Sequence, residues 1–190
     1  MDLIIAQGSE AGGMTGSVGA FALIPQVVDA VHPIPVLAAG GIADGRGLAA
    51  TLVLGGQGIN IGTRFLASAE ASAHVRWKQA IVSAESEEMI KVQVWPDIFP
   101  LPGGSAYDVA PRAMRTSFIT DLHQRQAEIK GAAGQIREEL LTALHQGRLH
   151  ELAPFTGQTA GMVHDILPAA EIVCRIVAEA ALKQSVQFLK

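Results

Sequence analysis

Two short stretches of this sequence offer backbone donors rather than side chains. Residues 38–47 read AAGGIADGRG and residues 59–65 read INIGTRF. In each, an apolar run stops at glycine and a helix-like segment opens. A phosphate is held well by backbone N–H groups at a helix N-terminus, where the helix dipole is positive. Glycine lets the main chain approach the anion without an intervening Cβ. Thr63 adds a hydroxyl to its N–H. Two such loops at the C-terminal ends of neighbouring parallel strands can share one phosphate, as happens after the last two strands of a (β/α)8 barrel. A glycine pair after a strand is also commonly just a tight turn. The first stretch is no P-loop, because Gly47 is followed by Leu48 and not by Lys-Ser/Thr, and it does not fit GxGxxG cleanly. The signal lies in the pair of loops.

Other residues with chemical potential are scattered. Glu10, in the loop QGSEAGGMTGSVG, is either a polar pocket residue or a cap for the next turn. The histidines His32, His74, His123, His145, His150 and His164 show no metal-like pairing, and His32 reads as a surface residue. Cys174 is the one cysteine, which excludes a disulfide framework and a Cys-based metal site. It falls on the apolar face of a helix and reads as core. Arg64 can neutralise an anion or pair with Glu70. His164 can serve a pocket, with Asp165 capping the following helix as the plainer alternative. Trp77 and Trp95 read as packing residues.

The elements that must position these groups follow from apolar patterning. Residues 2–6, DLIIA, and 35–39, PVLAA, are short apolar runs of the kind found in strands covered on both faces. GINI at 58–61 is a third. Residues 21–31 predict a helix with Pro25 in its first turn, and 44–54 a helix with Asp44 as N-cap. Strands alternating with glycine loops and helices point to βαβ units and a parallel sheet. After residue 68 the pattern changes: a helix over 68–84, an alternating strand MIKVQVW over 89–95, a Pro-rich loop over 96–111, then a mostly helical stretch from Pro111 to the end. Gly147 reads as a helix C-cap and Leu167-Pro168 as a helix restart.

Composition narrows the classes. Hydrophobic residues make up 49% and charged residues 17%, which supports a packed core. A net charge of -4 argues against a nucleic-acid surface. No apolar run is long enough to span a membrane, and MDLIIAQGSE does not read as a signal peptide, so a cytoplasmic protein is expected.

Taken together, AQGSEAGG, PVLAAGGIADGRGLAATLVLGGQGINIGTRFLAS and TAGMVHDILPAAEIV resemble the C-terminal half of the nitronate monooxygenase family, formerly 2-nitropropane dioxygenases. Flavin-dependent enoyl-acyl carrier protein reductases share these motifs. The resemblance implies an α/β fold: a partial (β/α)8 TIM barrel comprising strands 6–8 over residues 1–68, then a mostly helical region over 69–190 that completes the substrate pocket. It implies FMN as cofactor, with Gln7, Gly12, Gly41, Asn60, Ile61, Gly62 and Thr63 as its contacts. It places Thr159 near the substrate pocket, and PRAMRTSF, with Arg112 and Arg115, resembles the family's Arg-rich stretch before a helix.

Two departures shape the functional expectation. The family's E-A-G-G-H loop ends in a catalytic His, whereas here Glu10-Ala11-Gly12-Gly13 is followed by Met14. A thioether cannot act as a general base. An already ionised nitronate needs no base. The barrel also begins here at its sixth strand, whereas a complete one has eight strands and about 250 residues. Three parallel strands leave open edges, which predicts a truncated or split gene product, self-association, a complementary N-terminal half-barrel, or helices folded over the gap. The expected activity is FMN-dependent oxidation of a small-molecule nitronate by O2. Alternatives are an enoyl reductase or NAD(P)H:quinone-type reductase and, from another class, a non-catalytic remnant or subunit.

Overall fold

The computed structural model describes residues 1–101 and 108–187. The first 66 residues build the strand–loop–helix units that the apolar runs predict: β1 (Ile4–Gln7), β2 (Gly13–Thr15), α1 (Ala20–Val31), β3 (Val36–Ala39), α2 (Gly45–Val53), β4 (Gly58–Asn60) and α3 (Thr63–Leu66). β1, β3 and β4 form one parallel sheet in that order, with Ala6 opposite Ala38 and Ala38 opposite Ile59. Small residues at Ala6 and Ala38 let α1 lie close on the sheet. Ile24 of α1 joins Ala6, Val36, Ala38 and Ile42 in one buried cluster. The opposite face is less covered: Leu3 and Ile5 are each 45% exposed. The sheet is the last three βα units of a (β/α)8 barrel, and among the described residues the outer edges of β1 and β4 pair with no further strand.

The remaining elements are α4 (Val75–Ser83), β5 (Met89–Lys91), α5 (Trp95–Ile98), β6 (Ala110–Met114), α6 (Ser117–Gln124), α7 (Ile129–His145), α8 (Leu149–Leu152) and α9 (Ala169–Gln187). The mostly helical stretch expected from Pro111 opens with a strand instead. β6 sits between β2 and β5 in an antiparallel sheet, with Met14 opposite Pro111 and Lys91 opposite Arg112. Pro111 cannot donate to this ladder, but its carbonyl accepts from the Val92 N–H at 2.8 Å. Tertiary pairing thus overrides a local sequence that reads against a central strand. β2 is equally hidden, inside what reads as a glycine loop. The strand expected over 89–95 ends at Lys91, because Trp95-Pro96 opens α5 with proline in its first turn. The Pro-rich loop expected over 96–111 lies partly outside the described residues.

Two further apolar clusters hold this region. Ile98, Ile119, Leu122, Ile129 and Leu140 pack under β6 with Trp95 and Phe155 at the margin. Ile81, Met89, Val163 and Ala67 pack beneath α3 and α4, with Trp77 alongside. Gly147 follows α7 with a φ of 68°, as a C-terminal glycine should. Pro25 lies inside α1 rather than in its first turn, since the helix already begins at Ala20. Cys174 is exposed, not core: α9 buries Ile172, Ile176 and Ala180 and turns Val173, Cys174 and Val177 outward. Among the described residues, no helix is long and apolar enough to cross a membrane.

Candidate functional site

The C-terminal ends of β1, β3 and β4 open onto a cavity of about 240 Å3. β1 delivers Gln7 and the glycine loop Glu10, Ala11, Gly12 and Gly13. β3 delivers Ala39, Gly40, Gly41 and Ile42, and β4 delivers Asn60, Gly62 and Thr63. The segment after α8 closes the far side with Phe155, Gly157 and Thr159. Gln7, Gly12, Gly41, Asn60, Gly62, Thr63 and Thr159, singled out from the sequence, therefore meet at one place. Ile61 does not line the cavity; its side chain packs against the cluster around Ala6 and Ile24. Met14 lies on β2, 39% exposed and outside the lining, and its carbonyl accepts from the Gln7 amide at 2.6 Å.

Geometry explains the glycines. Gly40 and Gly41 have φ of 82° and 74°, the left-handed region that side chains disfavour. Gly12 passes so close to the closing segment that a Cβ would lie 2.7 Å from the Gly157 nitrogen. Gly157 is the reciprocal contact: its N–H donates to the Thr63 hydroxyl at 2.9 Å, and a Cβ there would meet the Glu10 carbonyl at 3.0 Å. Gly62 differs. A methyl placed on its Cα would meet nothing within 4 Å, so it faces open space.

The donors divide in a way the sequence did not reveal. The N-terminus of α2 is not free for an anion. The Gly45 N–H donates to Glu179 of α9 at 3.0 Å, and the Arg46 and Gly47 N–H groups donate to Asp44 at 2.9 and 3.4 Å. Asp44 is thus the N-cap that the sequence predicts. Burial pushes its carboxyl up, but the Arg46 guanidinium and the two N–H groups outweigh that and hold it below the usual carboxylate range. The N–H groups of Gly41, Gly62 and Thr63, by contrast, have no protein acceptor among the described residues. The available donors sit in the turn before α2 and at the entry to α3. The Thr159 side chain lies in the cavity wall, and its hydroxyl likewise has no protein partner among the described residues.

Charges near the site are engaged elsewhere. Arg64 is buried and donates to the Asp165 carbonyl at 2.9 Å and carboxylate at 2.5 Å, so it does not pair with Glu70. Glu70 instead accepts from the Ala169 N–H at 2.8 Å and caps α9, the role considered for Asp165. Glu10 lines the cavity, and its carboxylate accepts from the Ala20 N–H at 3.0 Å, capping α1 from ten residues away. Arg112 is buried in β6 and Arg115 is exposed; neither lines the cavity. Burial pulls the Arg112 guanidinium down, partly countered by the Glu10 charge. Among the described residues no cluster of His, Cys, Asp and Glu could hold a metal ion.

Sequence reasoning missed Phe155 and Gly157 as parts of the wall. A buried Gly pressed against another backbone has no periodic signature, and FTGQTAG gives no hint of what it faces.

The comparisons agree with this geometry. The family model described as nitronate monooxygenase matches residues 1–179. A Mycobacterium tuberculosis protein carrying a monooxygenase name is 34% identical over 94% of this chain and 48% of its own length. A Staphylococcus aureus protein named as a nitronate monooxygenase is 35% identical over 80% of this chain and 46% of its own length. Among solved structures, FabK from Thermotoga maritima superposes with a TM-score of 0.80 at 34% identity, covering 99% of this chain and 56% of that one. Nitroalkane oxidase from Streptomyces ansochromogenes gives 0.73 at 27% identity, covering 98% and 53%. The chain thus spans about half the length of the relatives it matches. By its motifs, its open barrel segment and a family match that runs nearly end to end, this chain belongs to the nitronate monooxygenase family, whose members are flavin-dependent oxidoreductases.

Proposed function

We propose that the cavity is the phosphate end of an FMN site and that the chain serves oxidation of an alkyl nitronate by O2. The carrying observation is the convergence of unclaimed N–H donors at Gly41, Gly62 and Thr63 on one cavity. Asn60 adds a side-chain amide and Thr159 a hydroxyl. Backbone N–H groups suit a phosphate because they supply donors without a mobile side chain. A cavity of about 240 Å3 is smaller than the roughly 300–1,000 Å3 usual for larger ligands. It would accept the phosphate and part of the ribityl chain, with Gly41, Gly62 and Thr63 holding the phosphate and Gln7 among the residues that would contact the rest of the group.

When bound, FMN supplies the electron transfer between nitronate and O2. The protein's part is to bind and orient the ligand and to shield one side from water with Phe155. Met14 provides no base, and its side chain is outside the cavity. The reading therefore commits to nitronates that arrive ionised, not to neutral nitroalkanes. In this reading further strands complete the barrel at the outer edges of β1 and β4, which pair with no other strand among the described residues.

An FMN titration followed by flavin fluorescence tests the seat, and anaerobic bleaching of the flavin band by propyl-2-nitronate tests the substrate. A protein that takes up no FMN, alone or with a half-barrel partner, sinks the proposal and leaves a non-catalytic subunit. Bleaching by NAD(P)H alone favours a reductase.

A further inference from the structure

The small antiparallel sheet behind the glycine loop carries two cations side by side. Lys91 of β5 stands directly opposite Arg112 of β6. Like charges so placed destabilise a sheet. Neither forms an ion pair among the described residues, and each spends its donors on main-chain carbonyls. Lys91 Nζ donates to the Gly16 carbonyl at 2.6 Å. Arg112 donates from Nε and Nη2 to the Ser9 carbonyl at 3.1 and 2.8 Å, and from Nη1 to the Met89 carbonyl at 2.6 Å. Ser9 and Gly16 lie at the two ends of the glycine loop that lines the cavity.

A trans peptide points its C=O and its N–H in opposite directions. With the Ser9 carbonyl held against Arg112, the N–H of the same peptide, that of Glu10, is turned away from the sheet. Its neighbours are satisfied: the Ser9 N–H donates to Val18 at 2.8 Å and the Ala11 N–H to Gly8 at 3.1 Å. The Glu10 N–H has no acceptor among the described residues, while Glu10 itself lines the cavity.

We propose that Arg112 is a positioning residue: it locks the Ser9–Glu10 peptide so that the Glu10 N–H stays free as a further donor to the ligand in the cavity. The charge is buried at the back of the loop so that a main-chain dipole can be fixed at the front. What the donor meets rests on the flavin reading above; what Arg112 does to the loop does not.

The test compares the parent with Arg112→Lys, which keeps the charge but cannot span both carbonyls, and with Arg112→Met. Amide hydrogen exchange is measured without ligand, and FMN affinity by fluorescence. The proposal expects faster exchange at Ser9 and Ala11 in Arg112→Lys with α7 unchanged. It also expects an FMN Kd raised about tenfold, the effect of one lost charge-assisted contact. Unchanged protection across residues 8–19 overturns it, as does an unchanged Kd in a variant whose loop has loosened. Exchange that quickens equally in α7 shows a merely structural role and also overturns it. If Arg112→Met does not fold, Arg112→Lys decides alone. If the parent itself takes up no FMN, the flavin reading falls, and the exchange result still decides whether Arg112 holds the loop.

Discussion

At the scale of single residues, the site separates glycines needed for packing from a glycine needed for access. Gly12→Ala would drive a methyl to 2.7 Å from two backbone atoms of residues 156 and 157. Such overpacking costs about 1–3 kcal/mol, so chemical denaturation should show a clear fall in stability. Gly62→Ala adds a methyl to open space at a φ of -98°, which any residue adopts. Its stability should stay within about 0.5 kcal/mol of the parent, while FMN affinity falls by about tenfold or more as the methyl crowds the anion. A Kd within twofold of the parent's would remove Gly62 from the seat. Cys174 gives a simpler check. Because α9 turns it outward, it should react with a thiol reagent in the native protein at nearly its rate in denaturant.

At the scale of elements, the three parallel strands and their helices were legible because apolar runs broken by glycine have few other uses, although their burial on both faces was not borne out at Ile5. Asp44 as N-cap was legible for the same reason: a short acceptor before a helix has one favourable place. Asp44→Ala should cost about 1 kcal/mol. Its folded-state pKa lies below its unfolded value, so its contribution is fully present above the ordinary carboxylate pKa and fades as pH falls through the lowered one. The variant should therefore lose part of the parent's acid dependence below about pH 4, measured as denaturation midpoints against pH. What was not legible was pairing at long range. β2 and β6 are three and five residues long, and neither stands out locally; each exists because the other is there. Arg112 reads from the sequence as part of a stretch leading into a helix, whereas the fold places it mid-strand with its donors turned on the glycine loop. The capture of the α2 N-terminus by Glu179 was equally invisible, since nothing in GRGLAATLV names a partner on α9.

At the scale of the molecule, the parallel sheet has three strands among the described residues. There its outer strands keep one edge each unpaired, and Ile5, with Leu3 beside it, is exposed on its less covered face. Unpaired strand edges with apolar neighbours promote association. Sedimentation should show concentration-dependent self-association, and Ile5→Lys should shift the population toward monomer. A monomeric parent at all concentrations would mean that the edges are tolerated as they stand.

The seal between α2 and α9 bears on how the chain reaches this state. Gly45 and Glu179 are 134 positions apart, yet a Cβ on Gly45 would already lie 2.5 Å from the Ile176 carbonyl. Contacts of such separation form late, after the entropy of a long loop has been lost. The Gly45 N–H therefore stays without its acceptor until α9 has been synthesised, whereas Asp44 can cap Arg46 and Gly47 as soon as they emerge. During translation that one N–H stays open, and the α2 unit waits on α9 for its final packing.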